Sequence, residues 1–141
     1  MTAVTPDASN HHGLEPLNSR FVNVDQLPWR QTQFPGVEVK ILIEDKETGL
    51  TTTMLRMAPG ASLPDHEHVR IEQTYVLEGR LVDDEGECTA GNYVWRPAGS
   101  RHIAHTPDGA LLLAFFLKPN RFYDKSGAGF EIDPEPAETG A

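Results

Sequence analysis

Leu50-Thr-Thr-Thr-Met-Leu-Arg-Met57-Ala-Pro-Gly60-Ala-Ser-Leu-Pro-Asp-His66-Glu-His68-Val-Arg-Ile-Glu72-Gln-Thr-Tyr-Val-Leu-Glu-Gly79 is the stretch on which the fold turns. It opens with a β-branched run that Pro59-Gly60 breaks, and it closes with Thr74–Leu77, a second strand-like run stopped by Gly79. Between them lies the chemistry. Side chains two apart on a strand project to the same face, so His66 and His68 can present their imidazoles side by side while Glu67 points away. Glu72 follows after a stretch long enough for a tight turn, which lets its carboxylate swing back to the same place. Two neutral imidazoles and a carboxylate suit a divalent transition metal.

The same short period runs outward in both directions. Val37–Glu44 alternates and then runs apolar, and Glu47–Leu50 reads as a turn. Asn92–Arg96 is a strand stopped by Pro97-Ala-Gly99, and Ala110–Leu117 is a β-rich run ended by Lys118-Pro119. Many short strands with Gly/Pro punctuation and no good amphipathic helix predict an all-β chain, an antiparallel sandwich or barrel. The polar, Pro-containing residues 1–19 read as a flexible lead-in and the Pro/Gly-rich, acidic residues 124–141 as a flexible tail, leaving 20–123 as the domain. His11 and His12 fall in the lead-in, where nothing fixes a geometry.

Composition narrows the class. A chain of 141 residues fits one domain. The single cysteine, Cys88, excludes an intramolecular disulfide, and its place in an acidic, turn-like segment argues against a thiolate ligand. No apolar run resembles a signal peptide or reaches the length needed to span a bilayer, so a cytoplasmic location is expected. A formal net charge of −9 disfavours nucleic acid and anionic membranes as partners and leaves a small-molecule substrate.

With residues 91–106 set beside the histidine stretch, the chain resembles the cupin family. The first cupin motif is Gly, five residues, His-x-His, three or four residues, Glu, six residues, Gly; Gly60, His66, His68, Glu72 and Gly79 meet every element. The second is Gly, five residues, Pro-x-Gly, two residues, His, three residues, Asn; Gly91, Pro97, Gly99 and His102 meet it, with Thr106 where Asn is usual. The resemblance implies a double-stranded β-helix (jelly roll) with a metal held inside one mouth by His66, His68, Glu72 and His102, and a homodimer. The turn at Pro97-x-Gly99 also sends the next strand back so that His102 can face the cavity of His66 and His68, while His105, of opposite parity, points outward. With only eleven residues between Gly79 and Gly91, the chain is similar to the compact bacterial cupins, which include the zinc domain of certain anti-sigma factors and relatives of diketone and hydroxyacetophenone dioxygenases.

Four protein ligands on a six-coordinate metal leave two adjacent positions, enough for a 1,3-dicarbonyl to chelate while dioxygen approaches. The resulting expectation is a non-heme Fe(II) dioxygenase cleaving a C–C bond in a small 1,3-dicarbonyl or aromatic ketone. Glu72 serves there as both ligand and catalytic group; Zn, Ni and Mn are alternatives to iron. Strand parity nominates Thr74 and Val76, which share the face of Glu72, and Met54 and Arg56 on a neighbouring strand as substrate-binding. Phe115 or Phe116, with Trp95 and Met54, are nominated for an apolar wall, and Arg96 and Arg101 stand beside the second motif. Two other readings are kept: a non-enzymatic zinc-binding sensor, and a metal-dependent isomerase or lyase, which would need polar, cationic walls.

Overall fold

The computed structural model describes residues 2–136. Eleven strands run in chain order: β1 (Arg30–Gln31), β2 (Val37–Glu44), β3 (Thr51–Met57), β4 (Ser62–Glu67), β5 (Glu72–Val82), β6 (Glu87–Thr89), β7 (Tyr93–Arg96), β8 (Arg101–His105), β9 (Ala110–Phe116), β10 (Arg121–Tyr123) and β11 (Gly129–Phe130). Every pairing is antiparallel. Among the described residues there is no α-helix, only a single 3-10 turn at Val24–Gln26. Among the described residues no helix is long and apolar enough to cross a membrane. The expected strands all form, as the β-branched and apolar runs require.

The sheet curls on itself, and β5 is its corner. The first part of β5 lies between β7 and β9 in the wall β1-β2-β3-β9-β5-β7, and its far end meets β6 and β8 of the opposite wall, β5-β8-β4-β10-β11. A bulge between Val76 and Glu78 bends the strand just before Gly79. Gly79 has φ +72, and a Cβ there would fall 1.9 Å from the Gly109 carbonyl oxygen. Only glycine tolerates both, which is why this strand end carries one.

Alternation then sorts the side chains. Val37, Val39, Leu55, Met57, Val76, Ala104, Leu112 and Phe122 are buried in one cluster between the walls. Each large apolar side chain buried in this way contributes roughly 1.5–3 kcal/mol. On the outer face of β2 and β3, Lys40 donates to the Val24 carbonyl (2.8 Å), and the Lys40 amine and Arg56 guanidinium both lie over the Trp29 ring.

Both flanking segments touch the barrel. Val4 bridges Glu44, and Arg30 pairs in bidentate fashion with Asp7 from the lead-in. The stretch read as the tail supplies β11, packs Phe130 and Ile132 against the core, and donates the Glu135 N–H to the Gln31 carbonyl. The rest of that stretch, residues 137–141, lies outside the described residues.

Candidate metal centre

The wall of β4 and β8 carries three buried histidines. His66 and His102 stand opposite each other in the β4–β8 register, and His68 lies just past the end of β4. The turn of the second motif holds His68: its N–H donates to the Ser100 carbonyl, and its own carbonyl accepts from Gly99 N–H. Ring centroids are 4.5–5.1 Å apart, and one ring nitrogen from each histidine lies within 4.8 Å of the other two.

Outer hydrogen bonds fix which nitrogen points inward. His66 Nδ1 donates to the Pro64 carbonyl at 2.8 Å, and His68 Nδ1 to the Ser100 carbonyl at 2.9 Å, with Ser100 Oγ also in reach at 2.8 Å. His102 Nδ1 donates to Asp83 Oδ2 at 2.7 Å. Carbonyls and carboxylates only accept, so each Nδ1 carries the proton and each neutral Nε2 turns a bare lone pair inward. His66 Nε2 and His102 Nε2 then face each other at 2.9 Å, and His68 Nε2 is buried without a hydrogen-bond partner. Burial pushes the His66 imidazole down to about 4, with nearby His102 adding to the effect, and burial likewise lowers His102. Neutral acceptors in mutual contact are unfavourable unless a cation lies among them, so this donor set fits a divalent metal, with Asp83, Ser100 and the Pro64 carbonyl orienting the rings.

Glu72 meets the cluster at one edge. Its Oε2 is 3.2 Å from His68 Nε2 and accepts from Asn120 Nδ2 at 2.9 Å, while Oε1 accepts from the Thr74 hydroxyl at 3.1 Å. Burial alone would raise this carboxyl, while donation from the Asn120 amide lowers it. Both oxygens accept, so the group is a carboxylate, with two protein donors already aiming it.

His66, His102 and Glu72 line a barrel cavity of about 830 Å³. Across the inner face of the long wall, register sets Arg96, Glu72, Phe116 and Thr51 in one row and Val94, Thr74, Ala114 and Thr53 in the next. Of the nominated substrate residues, Thr74 and Phe116 line the cavity; Val76 shares their face but is wholly buried in the core. Met54, Arg56 and Trp95 do not line it. In β3 the inward residues are Thr51, Thr53, Leu55 and Met57, so Met54 and Arg56 face out, and Arg56 pairs with Glu38. In β7, Val94 pairs with inward Thr74, which turns Trp95 outward, 55% exposed. The phase of a strand is set by its neighbours, and in β3 and β7 those neighbours impose the parity opposite to the expected one. Arg96, by contrast, faces inward and pairs with Asp83 at 2.7 Å, while Arg101 lies outside on Asp65 and the Tyr123 ring. His105 is exposed on the outer face, and Thr106 is fully buried.

Asp83 and Asn120 are site residues that the sequence does not reveal. Asp83 sits in an acidic run that reads as a solvated turn, and Asn120 follows Lys118-Pro119 at a strand end. Each reaches the site from far along the chain, 19 residues from His102 and 48 from Glu72.

The sequence profile of the ChrR cupin-like domain matches residues 18–120. Solved structures show the same fold. An acetylacetone dioxygenase from Acinetobacter johnsonii is 18% identical with a TM-score of 0.74, covering 86% of this chain and 89% of its own. A protein provisionally named for the same activity, from Methylibium petroleiphilum, is 22% identical with a TM-score of 0.74, covering 86% of this chain and 92% of its own. The anti-sigma factor ChrR, in complex with SigE from Rhodobacter sphaeroides, is 24% identical with a TM-score of 0.58, covering 66% of this chain and 51% of its own. No curated protein matches the sequence. With its curled antiparallel barrel, its converging histidines and a family profile that spans most of its length, this chain belongs to the ChrR-like cupins.

Proposed function

We propose that this chain is a metal-dependent dioxygenase, with Fe(II) as the favoured metal, that cleaves a C–C bond in a small 1,3-dicarbonyl or aromatic ketone. The observation that carries this is the convergence of three Nε2 lone pairs, with His66 and His102 lining a cavity large enough for such a ligand. His66, His68 and His102 would hold the metal, with Glu72 as a fourth ligand on the His68 side. When bound, such a metal stabilises an enolate and brings dioxygen chemistry within reach.

The chain's own residues do the rest. Asp83, Ser100 and the Pro64 carbonyl keep the rings oriented, and Asn120 and Thr74 aim Glu72, the candidate proton acceptor for the acidic C–H of a dicarbonyl. Phe116, Leu112, Ala114 and Leu55 offer an apolar surface to the carbon skeleton. That lining favours small hydrophobic carbonyl compounds over polyhydroxylated ones. Similarity in fold to acetylacetone dioxygenases is consistent with this reading. The protein is further proposed to act in the cytoplasm as a homodimer. Its only cysteine is free and buried, and Tyr75, Tyr93, Trp95 and Phe115 lie exposed together on the outer face of the long wall.

Anaerobic loading with Fe(II), followed by oxygen uptake across a panel of 1,3-diketones and aryl ketones, tests the activity. Metal-dependent uptake with at least one of them is expected, and none with any would overturn it. The ChrR-like profile keeps one other reading in view, a zinc-holding regulatory cupin, which tightly held, poorly exchanging zinc without uptake would favour.

A further inference from the structure

Three arginines line the barrel cavity, Arg30, Arg96 and Arg121; Arg121 is exposed on β10, and the other two differ in how their donors are used. Arg30 binds Asp7 in bidentate fashion, through Nε at 2.9 Å and Nη2 at 2.6 Å, so its charge and its fork are both committed. Arg96 touches only Asp83, through Nη1 at 2.7 Å, and among the described residues its guanidinium has no other polar partner. Asp83 is itself saturated. The same oxygen accepts from His102 Nδ1, and Oδ1 accepts from the Glu85 and Gly86 N–H groups at 2.9 and 3.1 Å. A guanidinium carries five N–H donors, so most of those on Arg96 remain unused although its side chain is only 13% exposed.

Its position makes this more than a structural ion pair. Arg96 is the direct cross-strand partner of Glu72, on the same inner face, yet Glu72 turns to Asn120 and Thr74 instead. The guanidinium therefore stands free beside the carboxylate that adjoins the histidines. Charge points the same way. Among the groups that adjoin the histidines, a divalent cation with Glu72, Asp83 and Arg96 would sum to one positive charge, and an unbalanced charge beside a partly apolar lining favours an anionic ligand.

We propose that the ligand of this site is a carbonyl compound bearing a carboxylate, and that Arg96 receives the carboxylate while the carbonyl oxygens face the histidines. This rests on the dicarbonyl reading above and names its substrate class: an oxo-carboxylate in place of a neutral diketone. Planar, bidentate recognition of a carboxylate is what a guanidinium offers and a lysine does not.

Two probes that differ only in this group decide it: acetylacetone, and 2,4-dioxopentanoate, in which a carboxylate replaces one methyl. Binding of each to the full-length Co(II)-loaded protein is followed by calorimetry and by the cobalt spectrum. Dioxopentanoate is expected to bind at least about tenfold tighter; R96M should abolish that preference with acetylacetone affinity kept, and R96K should retain part of it. Equal affinities in the unmutated protein, or a preference that survives in R96M, would overturn the role of Arg96 and leave the dicarbonyl reading standing. Should R96M fail to fold or to hold cobalt, the unmutated preference together with the graded loss in R96K decides the question. If neither probe binds the cobalt-loaded protein, the dicarbonyl reading fails and takes this inference with it.

Discussion

The two walls of the barrel do different work with the same backbone. The β4–β8 wall is polar where it faces inward: three imidazoles, each pinned at Nδ1 by a carbonyl or carboxylate, converge on one point. The β3–β9–β5 wall presents Leu55, Leu112, Ala114 and Phe116, whose contribution is burial and shape. The contrast separates function from stability. Changes to the three histidines should remove the metal, and truncation of the buried Leu55, Leu112 or Ala114 should lower stability with the metal kept.

The largest effect should follow loss of a histidine. H102A is expected to abolish stoichiometric metal binding, measured by elemental analysis, because it removes one of the three converging imidazoles and leaves Asp83 without the ring it orients. Leu112 is 2% exposed between the walls, so L112A should lower unfolding stability by about 2–5 kcal/mol in denaturant titrations. The cobalt spectrum of L112A should stay unchanged, and a spectrum that shifted would break the separation of the walls.

Acid sharpens the comparison further. His66 is held neutral in the fold, at about 4 against an ordinary 6.5, so the unfolded chain binds the extra proton. Stability of the metal-free protein should therefore fall as pH drops from 6.5 towards 4, by on the order of 3 kcal/mol. Chemical denaturation at several pH values checks this, and H66F should flatten the profile. D83N is expected to weaken metal affinity by roughly 10–100-fold with the fold intact, as removal of an orienting carboxylate does elsewhere. The smallest effect belongs to the outer face. R56A loses an exposed pair with Glu38 and a stack on Trp29 and should lower stability by about 1–2 kcal/mol and change metal affinity not at all.

How much of this was legible in the sequence also divides along the walls. His66, His68 and His102 were readable because the motifs fix their spacing, and period-two alternation puts them on one side. The residues that complete the centre were not. Asp83 reads as one acidic residue among several in a turn, and only the β5–β8 approach, with Val82 opposite His105, brings it to His102. On the apolar wall the strands were visible but their phase was not. Leu55 pairs with Leu112 and Met54 with Leu113, so the inner row follows from which strands are neighbours, information that no single strand contains. Arg96 is the instructive case: a charged residue next to an outward Trp95 faces inward because Asp83 is there to receive it.

The central claim is that three imidazoles, oriented from behind, form a metal site. X-ray absorption on the full-length Co(II)-loaded protein tests it most directly. Three imidazole nitrogens at about 2.1 Å are predicted, with stoichiometric cobalt lost in H102A. A cobalt shell of oxygen alone, or one unchanged by H102A, would contradict the account.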